Sequence, residues 1–298
     1  MAAYIRYMME ALLRGLLRRT WPLANPPHQK PRVLSSGNET AVRLLYEYPL
    51  GTFFEAIAVR PNGELLLTLP YNSSVHNNDP LHSNYTPTVV HNFDGLTIFG
   101  ITEYDHGVYA VNGGGFSSST GPVAGTCRVD SLNLTQTTAT SFTIANISSG
   151  QFLNGMTSLP RWGVGPSNVL VNDVAAGVVY NLDPISGKYF IAINNTYTQD
   201  DFALRDTIAY VTTGSGNSIE RVVAPAVDSR GLITTEIVAG SLNSTSVAGP
   251  TAAVSGCTSW DSHILYITTS GTPNVPVDKR IRISAQVLAI DTKLCSWA

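Results

Sequence analysis

Charged side chains are scarce: they make up 13% of the 298 residues, and the formal net charge is only −3. No stripe of Lys and Arg runs along any segment, so the phosphate neutralisation that nucleic-acid binding needs has no source, and no nucleic-acid partner is expected. Cysteine is rare too, with three residues at Cys127, Cys257 and Cys295. Their spacing contains no C-x-x-C and no Cys/His pattern, which argues against a zinc site. Apolar runs are short, and none is long enough to span a bilayer. There is no Gly-x-Ser-x-Gly elbow and no Ser/His/Asp combination suggestive of nucleophilic catalysis. The run Gly113-Gly114-Gly115 follows a strand pattern but precedes no helix, so it lacks the context of a phosphate-binding loop. Six histidines are scattered without metal-ligand spacing. His76 and His82 fall in the polar stretch YNSSVHNNDPLHSNY, expected to be a solvated insertion that replaces an outer strand.

What is abundant is strand and turn chemistry. Hydrophobic residues reach 43% and there are 25 glycines. Before that pattern starts, residues 1–40 read as a leader and linker. Residues 4–19 form a short basic amphipathic pattern that reads first as a loosely attached or misassigned leader, with contact to a membrane surface as the second reading. The Pro-rich stretch Pro22 to Ser36 reads as linker. Arg6, Glu10, Arg14, Arg18 and Arg19 interrupt every apolar run that a signal peptide would need. Against this stand seven Asn-x-Ser/Thr sequons, at Asn38, Asn72, Asn84, Asn133, Asn146, Asn194 and Asn243, which suggest a glycoprotein with a secretory history. Localisation stays open between these signals.

From residue 41 to 298 a single domain is expected. A strand of small apolar residues, a short turn and a more hydrophobic strand recur five times. The copies are FFEAIAVRPNGELLLTLP, FGITEYDHGVYAVNGG, LNGMTSLPRWGVGPSNVLVND, DDFALRDTIAYVTTGSG and PTAAVSGCTSWDSHILYITTSG. Their equivalent inner positions are Ile57, Ile101, Met156, Ala203 and Ala253. A period of 40–50 residues with several strands per copy is the signature of β-propeller blades, so the fold class is all-β, a β-propeller with five recognisable blades. The strand VRLLYEY, Val42 to Tyr48, precedes the first copy and is the natural partner of the last, which ends at VLAIDT. If the chain ends in the blade that holds Cys257, Cys257 and Cys295 come within pairing range.

These stretches, together with GQFLNGMTSLP, VLVNDVAAGVVYNLDPISGKY and VAGPTAAV, resemble the SMP-30/gluconolactonase-like six-bladed propellers in their fungal form. The resemblance covers most of residues 42–290. That branch includes hetero-Diels–Alderases of tropolone sesquiterpenoid pathways. One blade of the family pattern, between the third and fourth copies, is missing: GKYFIAINNTYTQ runs almost directly into DDFALRD.

The resemblance implies a working site where the first strand of each blade meets the channel mouth. Hydrolytic members hold one calcium-class ion through Glu, Asn and Asp. Residue by residue, Glu55 matches the Glu and Asp200 the Asp, with Asp201 as the alternative register, while the metal-binding Asn belongs to the missing blade. A pericyclic catalyst needs no metal, no other cofactor and no nucleophile. It needs an apolar cavity and a few hydrogen-bond donors. For that reading the polar candidates are Asn112, Asn154, Thr251 and Asp173, and the substrate-shaping residues are Phe99, Phe152, Met156 and Phe202. The expected partner is a hydrophobic small molecule, and a monomer is expected. The leading expectation is a hetero-Diels–Alderase-type enzyme. The alternatives are a calcium-dependent lactonase or esterase, and a propeller that binds a small molecule without turnover.

Overall fold

The computed structural model describes residues 32–33, 42–82, 85–117, 121–159, 165–194, 201–205, 208–223, 234–272 and 276–293. Among them the fold is all-β, with two single-turn 3-10 segments, and its strands form five blades of a β-propeller. The chain opens with β1 (Arg32–Val33) and β2 (Val42–Glu47). The described residues then fall into two compact units: Ala56–Asp79 together with Thr86–Asp200, and the remainder.

The first unit holds three blades. Blade one runs β3 (Ile57–Val59), β4 (Leu65–Leu69), β5 (Ser74–Asn78) and β6 (Thr88–Asn92) in sequential order. Blade two comprises β7 (Thr97–Asp105), β8 (Val108–Gly114), β11 (Arg128–Asn133) and β12 (Thr140–Asn146). A small hairpin, β9 (Phe116–Ser117) with β10 (Gly121–Pro122), is inserted between β8 and β11. Blade three comprises β13 (Leu153–Ser158), β14 (Val169–Asp173), β15 (Val178–Leu182) and β16 (Tyr189–Asn194).

The second unit holds blade four, made of β17 (Phe202–Arg205), β18 (Ile208–Thr213), β19 (Ser218–Val223) and β20 (Thr234–Gly240). It also holds blade five, built on β21 (Pro250–Ser255), β22 (Ile264–Thr269) and β23 (Gln286–Asp291). The fourth strand of blade five is β2, antiparallel to β23 with Val42 opposite Ile290. The strand ahead of the first repeat therefore completes the last blade, as the sequence pattern implies. Arg32–Val33, inside the stretch read as linker, adds a short fifth strand by pairing with β2.

The repeat positions behave as the pattern requires. Ile57, Ile101, Met156, Ala203 and Ala253 all lie on the innermost strand of their blade, and all are buried. All five are apolar, as a packed inner edge requires. Leu65, Leu66 and Leu67 of β4 are fully buried on both faces. Tight turns follow where the glycines predict them. Gly63 (φ 88°) and Gly107 (φ 69°) close the first two inner hairpins with left-handed backbone that other residues rarely adopt.

One expectation is overturned. Ser74–Asn78 is a buried third strand paired with β4 on one side and β6 on the other, not part of a solvated insertion. Its polar sequence hid it, because Ser74, His76, Asn77 and Asn78 read as loop chemistry. His82 is exposed, beyond that strand. Cys127 is a buried free thiol. The pairing of Cys257 with Cys295, the basic segment 4–19 and Asp200 lie outside the described residues.

Candidate functional site

Three of the five inner strands do not pair regularly along their length. Register shifts interrupt β7 against β8 between Ile98 and Ile101, β13 against β14 between Leu153 and Met156, and β21 against β22 between Pro250 and Ala252. Each irregularity skips residues at the entry end of the inner strand: Phe99–Gly100, Asn154–Gly155 and Thr251. Bulges of this kind re-aim side chains and are enriched beside active sites. Three sequence candidates, Phe99, Asn154 and Thr251, therefore share one structural position in three blades.

The carbonyls of Phe99, Asn154 and Thr251 are each held by a polar side chain on the second strand of the preceding blade. In blade one, Thr68 Oγ1 accepts the N–H of Ala56 at 2.9 Å and donates to the carbonyl of Phe99 in blade two at 2.6 Å. In blade two, Asn112 Oδ1 accepts the N–H of Gly100 at 2.9 Å, and its Nδ2 donates to the carbonyl of Asn154 in blade three at 2.6 Å. In blade four, Thr212 Oγ1 contacts the carbonyls of Asp201 and Thr251, each at 3.1 Å. Gly100 is obligatory in this arrangement, because a Cβ there would sit 2.3 Å from the carbonyl oxygen of Asn154.

This pattern assigns places to the sequence candidates. Asn112 is fully buried and its amide is engaged at both ends in joining blades. Asn154 is buried and contributes its carbonyl to that joint. Thr251, in the second unit, donates to Thr268 Oγ1 at 3.1 Å. Asp173 is fully buried, and its carboxylate accepts three backbone N–H groups: Gln151 at 2.8 Å, Phe152 at 3.0 Å and Ala176 at 2.9 Å. It clamps the chain as it enters β13. Met156 packs in the core shared by blades two and three. Phe202 lies on β17, its side chain outside the described residues. Glu55 is buried at 1% exposure immediately before blade one.

Phe99 and Phe152 meet edge to face, with ring centroids 4.9 Å apart and planes at 87°. They form the back of a crevice between blades two and three. Phe116, Pro122 and Val123, from the β9–β10 hairpin and the turn after it, form its outer wall. Gly114 and Gly115 contribute bare backbone. The crevice is small, with a volume of about 10 Å³, the room of one water. Cys127 borders it, and burial pushes its thiol pKa up, so the sulfur is a neutral, weakly polar wall and not a nucleophile. Gln151 brings the one carboxamide among the described lining residues. The sequence reading missed Gln151, Phe116 and the hairpin. The signal available was the position of Gln151 directly before Phe152.

A calcium-class ion asks for six to eight oxygen ligands. No group of three or more His, Cys, Asp or Glu side chains converges among the described residues. Of the predicted donor set, the described residues include only Glu55 and the alternative Asp201. The described residues do not by themselves assemble the oxygen ligand set such an ion needs.

No protein-family model matches the chain. A curated relative, a putative hetero-Diels-Alderase from a Phoma species, is 30% identical over 217 residues, which cover 60% of this chain and 60% of that protein. The chain thus matches over less than two thirds of this relative's length. Among solved structures, a putative oxidoreductase (glucose dehydrogenase) from Thermus thermophilus superposes with a TM-score of 0.56 at 10% identity, covering 84% of this chain and 99% of that one. The PQQ-bound aldose sugar dehydrogenase of Streptomyces coelicolor gives 0.54 at 9% identity, covering 89% and 99%. A luciferin-regenerating enzyme gives 0.51 at 13% identity, covering 84% and 95%. At these identities the structural likenesses speak to the fold alone, and they agree with the all-β propeller architecture described above.

Proposed function

We propose that this protein is an enzyme of hetero-Diels–Alder type, joining a tropolone quinone methide to a sesquiterpene alkene. The observation that carries the reading is the 30% identity over 217 residues to the Phoma relative. The aromatic crevice between blades two and three supports it. The reaction forms one C–C and one C–O bond, consumes three π bonds and creates one, and transfers no proton or electron to the protein. It therefore asks the chain for no nucleophile and no acid–base pair. What it asks for is an apolar surface that holds diene and dienophile in near-attack geometry, and a donor for the carbonyl oxygen, which gains negative charge in the transition state. Phe99 and Phe152, both buried, form the packed support behind the crevice, locked by their edge-to-face contact and by the hydrogen bonds that fix their backbones.

The test is incubation of the purified chain with a quinone-methide precursor and a humulene-type terpene. Faster adduct formation with a stereochemical excess over the enzyme-free control is the expected result. Yield and stereochemistry equal to that control refute the reading.

A further inference from the structure

We propose that Asn72, Asn146 and Asn243 are acceptor sites for N-linked glycans, and that the glycan on Asn146 shields the outer edge of blade two. Neither claim depends on the reaction proposed above. Five Asn-x-Ser/Thr sequons have their asparagine among the described residues: Asn72, Asn133, Asn146, Asn194 and Asn243. Four of these fall at one corner of a blade, where the fourth strand ends beside the start of the third. Asn146, the last residue of β12, pairs with Arg128, the first of β11. Asn194, the last residue of β16, pairs with Val178, the first of β15. In blade four, β20 ends at Gly240 opposite Ser218, the first residue of β19, and Asn243 follows three residues on. In blade one, Asn72 lies two residues ahead of Ser74, which opens β5 opposite Asn92 at the end of β6. Asn133 sits at the other end of its strand pair, opposite Thr140.

Asn72, Asn146 and Asn243 are all exposed, as a bulky modification requires. At Asn146 the neighbouring Ile147 is fully buried and Ser148 is exposed, so both sequon side chains face solvent while the residue between them anchors the chain. Asn243 and Thr245 are exposed in the same way. Asn72 differs, because Ser74 of its sequon is buried in β5; that site is open to a transferase before folding and not after. The transfer joins Asn Nδ2 to the anomeric carbon of a lipid-diphosphate-linked oligosaccharide. The bond from that carbon to the diphosphate oxygen breaks, the lipid diphosphate leaves with the electron pair, and one amide proton passes to a base of the transferase.

The edge that the Asn146 glycan covers is β12, the outermost strand of blade two. Its sequence TSFTIAN contains no charge and no proline, and Phe142 is 60% exposed. One bulge, at Ile144, interrupts it. Uncharged apolar edges of this kind recruit strands from other chains. The outer strand of blade four needs no such cover, because Glu236 already places a charge in its middle. Asn146 stands four residues beyond Phe142. That is about 13 Å along a strand, a distance spanned by the first sugars of a branched glycan. A hydrated oligosaccharide there keeps a second chain from approaching the edge.

The experiment expresses the full chain in yeast behind a cleavable secretion leader. Glycans are removed with an amidase in heavy-oxygen water, which converts each occupied asparagine to a labelled aspartate. Peptide mass spectrometry is expected to find the label at Asn72, Asn146 and Asn243. Absence of label from Asn146 or Asn243 overturns the assignment of that site, and absence from Asn72 overturns modification before folding there. Shielding is read by light scattering during heating. Asn146→Gln is expected to begin scattering at a lower temperature than the parent protein, and adding Phe142→Thr is expected to restore the parent onset. Shielding is overturned if Asn146→Gln scatters like the parent, or if Phe142→Thr restores nothing. If Asn146→Gln is not secreted, glycans stripped from the folded parent and from Phe142→Thr give the same comparison: the stripped parent is expected to scatter earlier and the stripped Phe142→Thr variant not to.

Discussion

Burial of His76 disfavours its charged form and pulls its pKa from 6.5 down to about 4. The imidazole is only 3% exposed, its Nε2 lies 3.2 Å from Ser74 Oγ, and its Nδ1 has no hydrogen-bond partner among the described residues. Between about pH 4 and 6.5 the unfolded chain binds a proton that the folded chain refuses. Stability therefore rises with pH across that window, is complete above about 6.5, and is lost as the pH falls toward 4. The full difference is on the order of 3 kcal/mol, since each tenfold change in proton affinity is worth about 1.4 kcal/mol. His76→Gln removes the titrating group. Urea midpoints at pH 7, 6 and 5 are expected to fall more steeply in the parent protein than in the variant. Parallel falls in the two proteins would show that other groups set the acid sensitivity.

At the scale of elements, the recurring joint between blades is the device that holds the inner strands where they bulge. Thr68 is its simplest member. Thr68→Val preserves shape while stranding the buried N–H of Ala56 and removing the donor to the Phe99 carbonyl. A loss of about 1–3 kcal/mol is expected in denaturant unfolding, because buried backbone groups left unpaired carry their desolvation cost. A change below about 0.5 kcal/mol would mean the joint contributes nothing.

The same joint explains what was legible in the sequence. The inner positions Ile57, Ile101, Met156, Ala203 and Ala253 were legible because apolar residues recurring at blade spacing point to one architecture. The bulge residues Asn154 and Thr251 were legible as polar residues at strand entries. Their hydrogen-bond partners were not, since nothing in the local pattern says that Asn112 reaches into the next blade. The strand Ser74–Asn78 was illegible because its five residues are buried by tertiary packing and not by their own hydrophobicity. Gln151 was overlooked because an exposed polar residue before a strand is ordinary until its clamp by Asp173 is seen.

For the whole molecule, one long-range pairing matters more than any local hairpin. The side-chain amide of Gln286 donates to the Glu47 carboxylate across a separation of 239 residues, and β2 pairs with β23 from Val42 to Glu47. Closing so long a loop is entropically costly, so the last blade depends on apolar burial to hold that strand. Val42 and Leu44 supply it. Both are buried in one core cluster with Leu265, Ile267, Leu288 and Ile290, while Arg43 between them faces solvent. Without β2, β23 becomes an exposed sheet edge rich in Val, Leu and Ile, the kind of edge that recruits other chains. Leu44→Asp puts a carboxylate into that cluster and is expected to cost about 3–5 kcal/mol, a large share of the roughly 5–15 kcal/mol that stabilises a typical domain. Arg43→Gln, on the outward face of the same strand, is expected to stay within about 0.5 kcal/mol. Thermal unfolding with light scattering separates the two outcomes: Leu44→Asp should unfold at lower temperature and aggregate as it does so, and Arg43→Gln should not. Equal melting of Leu44→Asp and the parent protein would show that blade five stands without its N-terminal strand.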